Sequence, residues 1–236
     1  MAANLLFGGK KSSPAGAKAP AAAPAAPAPA QAPQVDSKAQ HQMLASMMFG
    51  TPNFAKAAPS ERDPYDTPGH YWQKVERFTI KQSDNPTKLG TPQAILKKRV
   101  LWADSGNPAG SLQAGSRVAQ VFDYTKTGAV AASKGFMAKV LDCSPAEVSP
   151  DRAAMLTDPE TQPLAGFVVE VRVNVDPNKV SPKDGKPFTW VNYERRVPFP
   201  EVLKAAQDGH LDGDLVDELF PDGALQAMAE AEAGAQ

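Results

Sequence analysis

One cysteine, Cys143, stands among the 236 residues. It excludes an intramolecular disulfide and a cysteine-built zinc site, and it suits a reducing compartment. Histidine is almost as scarce: His41, His70 and His210 are far apart in sequence, and none stands in an HxxxH spacing. Long apolar runs are missing too. The early "NLLFGGKK" is too short in large apolar residues for a signal peptide, and no later stretch reaches membrane-spanning length. The expectation is a soluble, cytoplasmic protein with no membrane partner.

Catalytic signatures are also absent. There is no GxSxG and no phosphate-cradling glycine loop. "LFGGKKSS" imitates a P-loop through Gly9, Lys10 and Ser12, but lacks the preceding strand and the first glycine. Asp212 and Asp214 sit in an acidic end, where solvated charge is a simpler reading than a two-metal site. No catalytic residues, metal ligands or cofactor are expected, and the chain reads as a non-enzyme.

What is present is an uneven distribution of charge and proline. Lys plus Arg against Asp plus Glu run 6 to 4 over residues 1–68, 18 to 13 over 69–200, and 1 to 9 over 201–236. A basic middle followed by an acidic end suits attraction of a polyanion, with the end competing for the same surface. Residues 11–34, with "APAAAPAAPAPAQAP", cannot bury apolar surface and are expected as a disordered, proline-stiffened arm. Met43, Leu44, Met47 and Met48 then fall at helical spacing, and further turn formers delay the folded domain to about Gly69. The expected organisation is an arm over 1–68, a domain over 69–200, and an acidic helix or tail over 201–236.

Within that domain five strands are expected. Tyr71–Ile80 is the first; the second, Ala94–Trp102, puts Leu96, Val100 and Trp102 on one face and Lys97 and Arg99 on the other. Arg117–Tyr124 alternates as the third. Helical signals follow: Ser133 capping a segment to Leu141, the capping-box pattern "SPAE" at 144–147, and Ser149 ahead of Pro150. In "GFVVEVRVNV", Phe167, Val169, Val171, Val173 and Val175 form an apolar row, the mark of a half-buried antiparallel strand. "PEVLKAAQDG" reads as a helix ended by Gly209. Three strands, a helical insertion and a hairpin give a mainly β expectation, an OB-like five-stranded Greek-key barrel. A β-sandwich fragment or another α+β domain fits the same order.

"KDGKPFTWVNYERR", residues 183–196, carries the functional expectation. If Thr189, Val191, Tyr193 and Val197 face the core with Arg195, then Phe188, Trp190, Asn192, Glu194 and Arg196 face outward. Outward aromatics beside cations supply stacking platforms and phosphate contacts for single strands. The alternative is that Phe188 and Trp190 pack under the arm or a helix. Lys97, Lys98, Arg99, Arg172, Lys183, Lys186 and Arg196 are the candidate phosphate contacts, with Trp102 and Tyr124 as further platforms. Each lysine is equally readable as a solvated charge.

"TQPLAG" at 161–166, the valine-rich strand after it, and Lys183, Gly185, Lys186, Phe188 and Thr189 resemble the C-terminal half of a bacteriophage protein family. That family is similar to OB-fold single-stranded DNA-binding proteins. "KGFMAKVLDCSPAEVS" resembles its helical segment, and the likeness spans roughly residues 94–198. It implies non-specific single-stranded DNA binding in phage replication or recombination, in the bacterial host cytoplasm. It also implies an acidic C-terminus that engages replication or recombination proteins, here through Leu219 and Phe220 in "DGDLVDELFPDG". The chain departs from the family in continuing to "ALQAMAEAEAGAQ". Homo-oligomerisation is open, and a virion or assembly protein using its arm for subunit contacts is the alternative.

Overall fold

The computed structural model describes residues 37–51, 54, 68–104, 112–180, 185 and 187–235, the side chains of 37, 177 and 222 excepted. The Ala/Pro arm, Lys183 and Lys186 lie outside the described residues. Five strands, β1 (Gly69–Gln82), β2 (Pro92–Ala103), β3 (Arg117–Asp123), β4 (Val168–Val180) and β5 (Pro187–Val197), form one antiparallel sheet ordered β3-β2-β1-β4-β5. Helices α1 (Ser37–Phe49), α2 (Thr127–Val140), α3 (Pro150–Leu156), α4 (Phe199–Gln207), α5 (Gly213–Leu219) and α6 (Ala224–Gly234) surround it. Among the described residues no backbone ladder joins β3 to β5, so the sheet is open where a closed barrel would pair its edges.

The open edges still meet through side chains. The Tyr193 hydroxyl on β5 donates to Gln120 Oε1 on β3, and Lys98 Nζ on β2 donates to that hydroxyl at 2.8 Å and to Gln120 at 3.3 Å. Strands at opposite ends of the order reach one polar cluster only because the sheet curls, aided by twist and by bulges in β1–β2 and β4–β5. Lys98 is fully buried inside this curl; burial of an ammonium is tolerable because oxygen acceptors surround it.

The concave face holds the first core. Val75, Phe78, Leu96, Val100, Phe122, Val169, Val171 and Val191 meet α2 there. Phe136 of α2 lies edge-on to Phe78 at 5.3 Å and to Tyr193 at 5.0 Å, so it plugs the curl. α2 begins at Thr127, six residues before the expected cap: Ser133 is mid-helix, buried, and bonded to the Tyr124 hydroxyl. The other caps are as expected. Ser144 N donates to the Glu147 carboxylate at 2.7 Å, and Ser149 Oγ accepts from Arg152 N at 3.2 Å. α1 buries Leu44, Met48 and Phe49 in this core and leaves Met43 and Met47 exposed.

The convex face carries a second core, where the acidic end takes the helical form of the expected helix or tail. α4, α5 and α6 bury Phe199, Val202, Leu211, Leu215, Val216, Leu219, Phe220 and Leu225 against Leu101, Val168 and Val197. The acidic segment is amphipathic, with an apolar side that completes the sheet's outer covering. No described helix is long and apolar enough to cross a membrane.

Candidate functional site

β4 and β5 pair so that Asn174 lies opposite Trp190, Asp176 opposite Phe188, and Arg172 opposite Asn192. Val191 and Tyr193 face the first core, which puts Phe188, Trp190 and Asn192 on the outer face by strict alternation. Phe188 is 44% exposed and Trp190 is half-buried. Arg172 shares that face, its side chain 51% exposed and its Nε 3.0 Å from Glu194. At the hairpin's far end Gly185 has φ +67°, the left-handed conformation that an Asp-Gly turn requires.

The remaining expected contacts are dispersed. Lys97 is exposed on β2 directly across from exposed Arg77, a basic neighbour that sequence reading passed over. Lys98 is corrected: it faces the interior, away from any phosphate. Arg99 is 12% exposed and held by Glu218 at 2.7 Å, Glu76 at 3.4 Å and the Gly115 carbonyl at 3.0 Å. Arg196 is bound to Glu232 at 2.6 Å and lies 4.2 Å over the Phe167 ring. Both arginines therefore fasten the C-terminal helices to the sheet. Glu201 of α4 does the same with Arg195, accepting from both terminal nitrogens at 2.7 Å. The acidic end thus packs on the sheet through ion pairs with Arg99, Arg195 and Arg196.

Trp102 changes face, and Tyr124, Leu219 and Phe220 are corrected. A bulge makes Leu101 the extra residue between the pairs Trp72–Trp102 and Gln73–Val100. Trp102 is thereby turned from the face of Leu96 and Val100 onto the convex side beside Trp72, at 6.2 Å between centroids. Tyr124 packs against Phe49, and burial pushes its phenol well above the usual range. Leu219 and Phe220 are buried in the second core, so a partner reaches them only by displacing α5. Phe220 also covers Lys74, whose pKa burial lowers.

Sequence reading missed one convergence completely. His70 of β1, Glu170 of β4 and Glu194 of β5 present one ligand atom each, all within 4.8 Å of one another. A second bulge lies beside the cluster: Glu170 pairs with Arg195 and Val171 with Tyr193, leaving Glu194 as the extra residue. The same shift puts Arg195, rather than Arg196, opposite Glu170 on the outer face. Beside this cluster is a pocket of about 400 Å³ lined by His70, Trp72, Trp102, Glu170, His210 and Leu211. Two histidines that are 140 positions apart thus share one wall, a proximity that only strand pairing and the docking of α4 create. Comparison of the chain with protein-family models, with curated proteins and with solved structures finds no match.

Proposed function

We propose that this protein binds single-stranded DNA without sequence preference, in phage replication or recombination, as a binding protein rather than an enzyme. The observation that carries the reading is the co-facial pair Phe188 and Trp190 on the outer face of β5, with Arg172 on the neighbouring strand. Exposed aromatics at alternate positions give bases a surface to stack on, and stacking tolerates any base because each has a π-face. The open sheet supports an OB-like assignment: the strand order, the helix between β3 and β4, and the Tyr193–Gln120 contact fit a five-stranded Greek-key barrel left partly open between β3 and β5. Its β4–β5 loop, which carries Lys183 and Lys186, is one of the two loops such folds use on oligonucleotides.

Trp190→Ala is expected to weaken binding of an oligothymidylate by about 1–3 kcal/mol, measured by fluorescence anisotropy, with the thermal midpoint nearly unchanged. Full affinity in a folded Trp190→Ala protein would sink the stacking assignment. The exposed Met43 and Met47 on α1 favour a second reading, an assembly protein whose N-terminal segment contacts neighbouring subunits. That reading predicts a discrete oligomer that Met43→Lys with Met47→Lys dissociates, as read by light scattering.

A further inference from the structure

The geometry points to a divalent-cation site at His70, Glu170 and Glu194, on the same outer face as Phe188 and Trp190 but argued independently of whether that face binds DNA. Each carboxylate divides its two oxygens between an arginine and His70. Glu170 gives Oε2 to Arg195 Nε and turns Oε1 to within 2.7 Å of His70 Nε2. Glu194 gives Oε1 to Arg172 Nε at 3.0 Å and turns Oε2 to within 3.8 Å of the same nitrogen. Such bracing from behind is what outer-sphere partners do for metal-bound carboxylates: it fixes the free oxygen's direction before an ion arrives.

His70 adds a second, separate indication. Its Nε2 is shielded from solvent, yet despite the short approach to Glu170 it makes no hydrogen bond of acceptable geometry. That ring nitrogen lacks a hydrogen bond at the place where both carboxylate oxygens converge, and a cation bound there would satisfy all three atoms.

One imidazole and two carboxylates suit a first-row ion, with Zn²⁺ favoured over Mg²⁺ by the nitrogen ligand. Three protein ligands leave a coordination position for water or a ligand donor, and the pocket of Trp72, Trp102 and His210 adjoins it. A small ligand with one anionic or carbonyl oxygen and an apolar body fits that pairing of ion and aromatic wall.

The test is titration of the full chain with Co²⁺, followed by visible absorption, and with Zn²⁺ and Mg²⁺ by calorimetry. The expected result is one equivalent of Co²⁺ and of Zn²⁺ bound, with Mg²⁺ much weaker. Glu194→Gln, which keeps the side chain's shape, should lower Zn²⁺ affinity by at least about tenfold, and His70→Ala should do so too, while Lys139→Ala, at an exposed position of α2, leaves it unchanged. Absence of Zn²⁺ and Co²⁺ binding, or binding equally strong in both variants, would overturn the site and leave Glu170 and Glu194 as an ion-pair network held by Arg195 and Arg172. DNA binding measured on the same samples keeps the two readings apart, because the loss of one does not entail loss of the other.

Discussion

A chain ending at residue 211 should fail to fold. Truncation there removes Leu215, Val216, Leu219, Phe220 and Leu225, all buried in the second core. Each such side chain contributes roughly 1.5–3 kcal/mol through burial, on the order of 10 kcal/mol together. That is comparable to the whole net stability of a typical domain, about 5–15 kcal/mol. The cut also uncovers Leu101, Val168 and Val197 and deprives Arg99 and Arg196 of Glu218 and Glu232. Circular dichroism and urea denaturation of the truncated protein should show lost cooperativity or aggregation. A fragment with the full-length midpoint would restore the picture of an acidic recruiting tail, which the burial of Leu219 and Phe220 opposes.

Phe136→Ala should cost about 3–5 kcal/mol, read as a lowered urea midpoint, because the ring fills the inside of the curl and its neighbours Phe78 and Tyr193 sit on fixed strands that cannot collapse around a void. Phe188→Ala is the matched comparison. As an exposed ring on the opposite face it should change stability by no more than about 0.5 kcal/mol. Equal losses from the two substitutions would mean that the outer face of β5 is covered in solution, and the stacking surface would then be ruled out.

The period-two patterns were legible because each strand's alternation is local information. Val169, Val171 and Val173 are buried in the first core, and the inward set Val191 and Tyr193 fixes Phe188 and Trp190 outward. Helix starts at Ser144 and Ser149 were legible for the same reason, since a cap involves residues only three positions apart. Bulges broke the reading: one extra residue inverts every later side chain, so Trp102 and Arg195 ended on faces opposite to those expected. Lys98 looked like surface charge because its acceptors Gln120 and Tyr193 lie 22 and 95 positions away. His70 looked isolated for the same cause, its neighbours Glu170 and Glu194 being supplied by β4 and β5. In the acidic end, charge dominated composition and hid the apolar positions that seal the convex face.

All three arginines expected at phosphates are engaged with glutamates, and only Arg172 keeps half its side chain exposed, which concentrates the demand for phosphate contacts on Arg172, Lys97 with Arg77, and the lysines of the β4–β5 loop. A small set of contacts predicts a moderate rather than extreme salt dependence, with a slope of roughly −0.7 in log affinity against log salt for each phosphate engaged on a single strand. The most direct measurement is therefore anisotropy of a fluorescent oligothymidylate titrated with the full chain at low and at physiological salt, with tryptophan emission followed in parallel. Saturable binding that weakens with salt and quenches tryptophan is the predicted result. No binding even at low salt would contradict it, making the Phe188–Trp190 face structural and turning attention to subunit assembly.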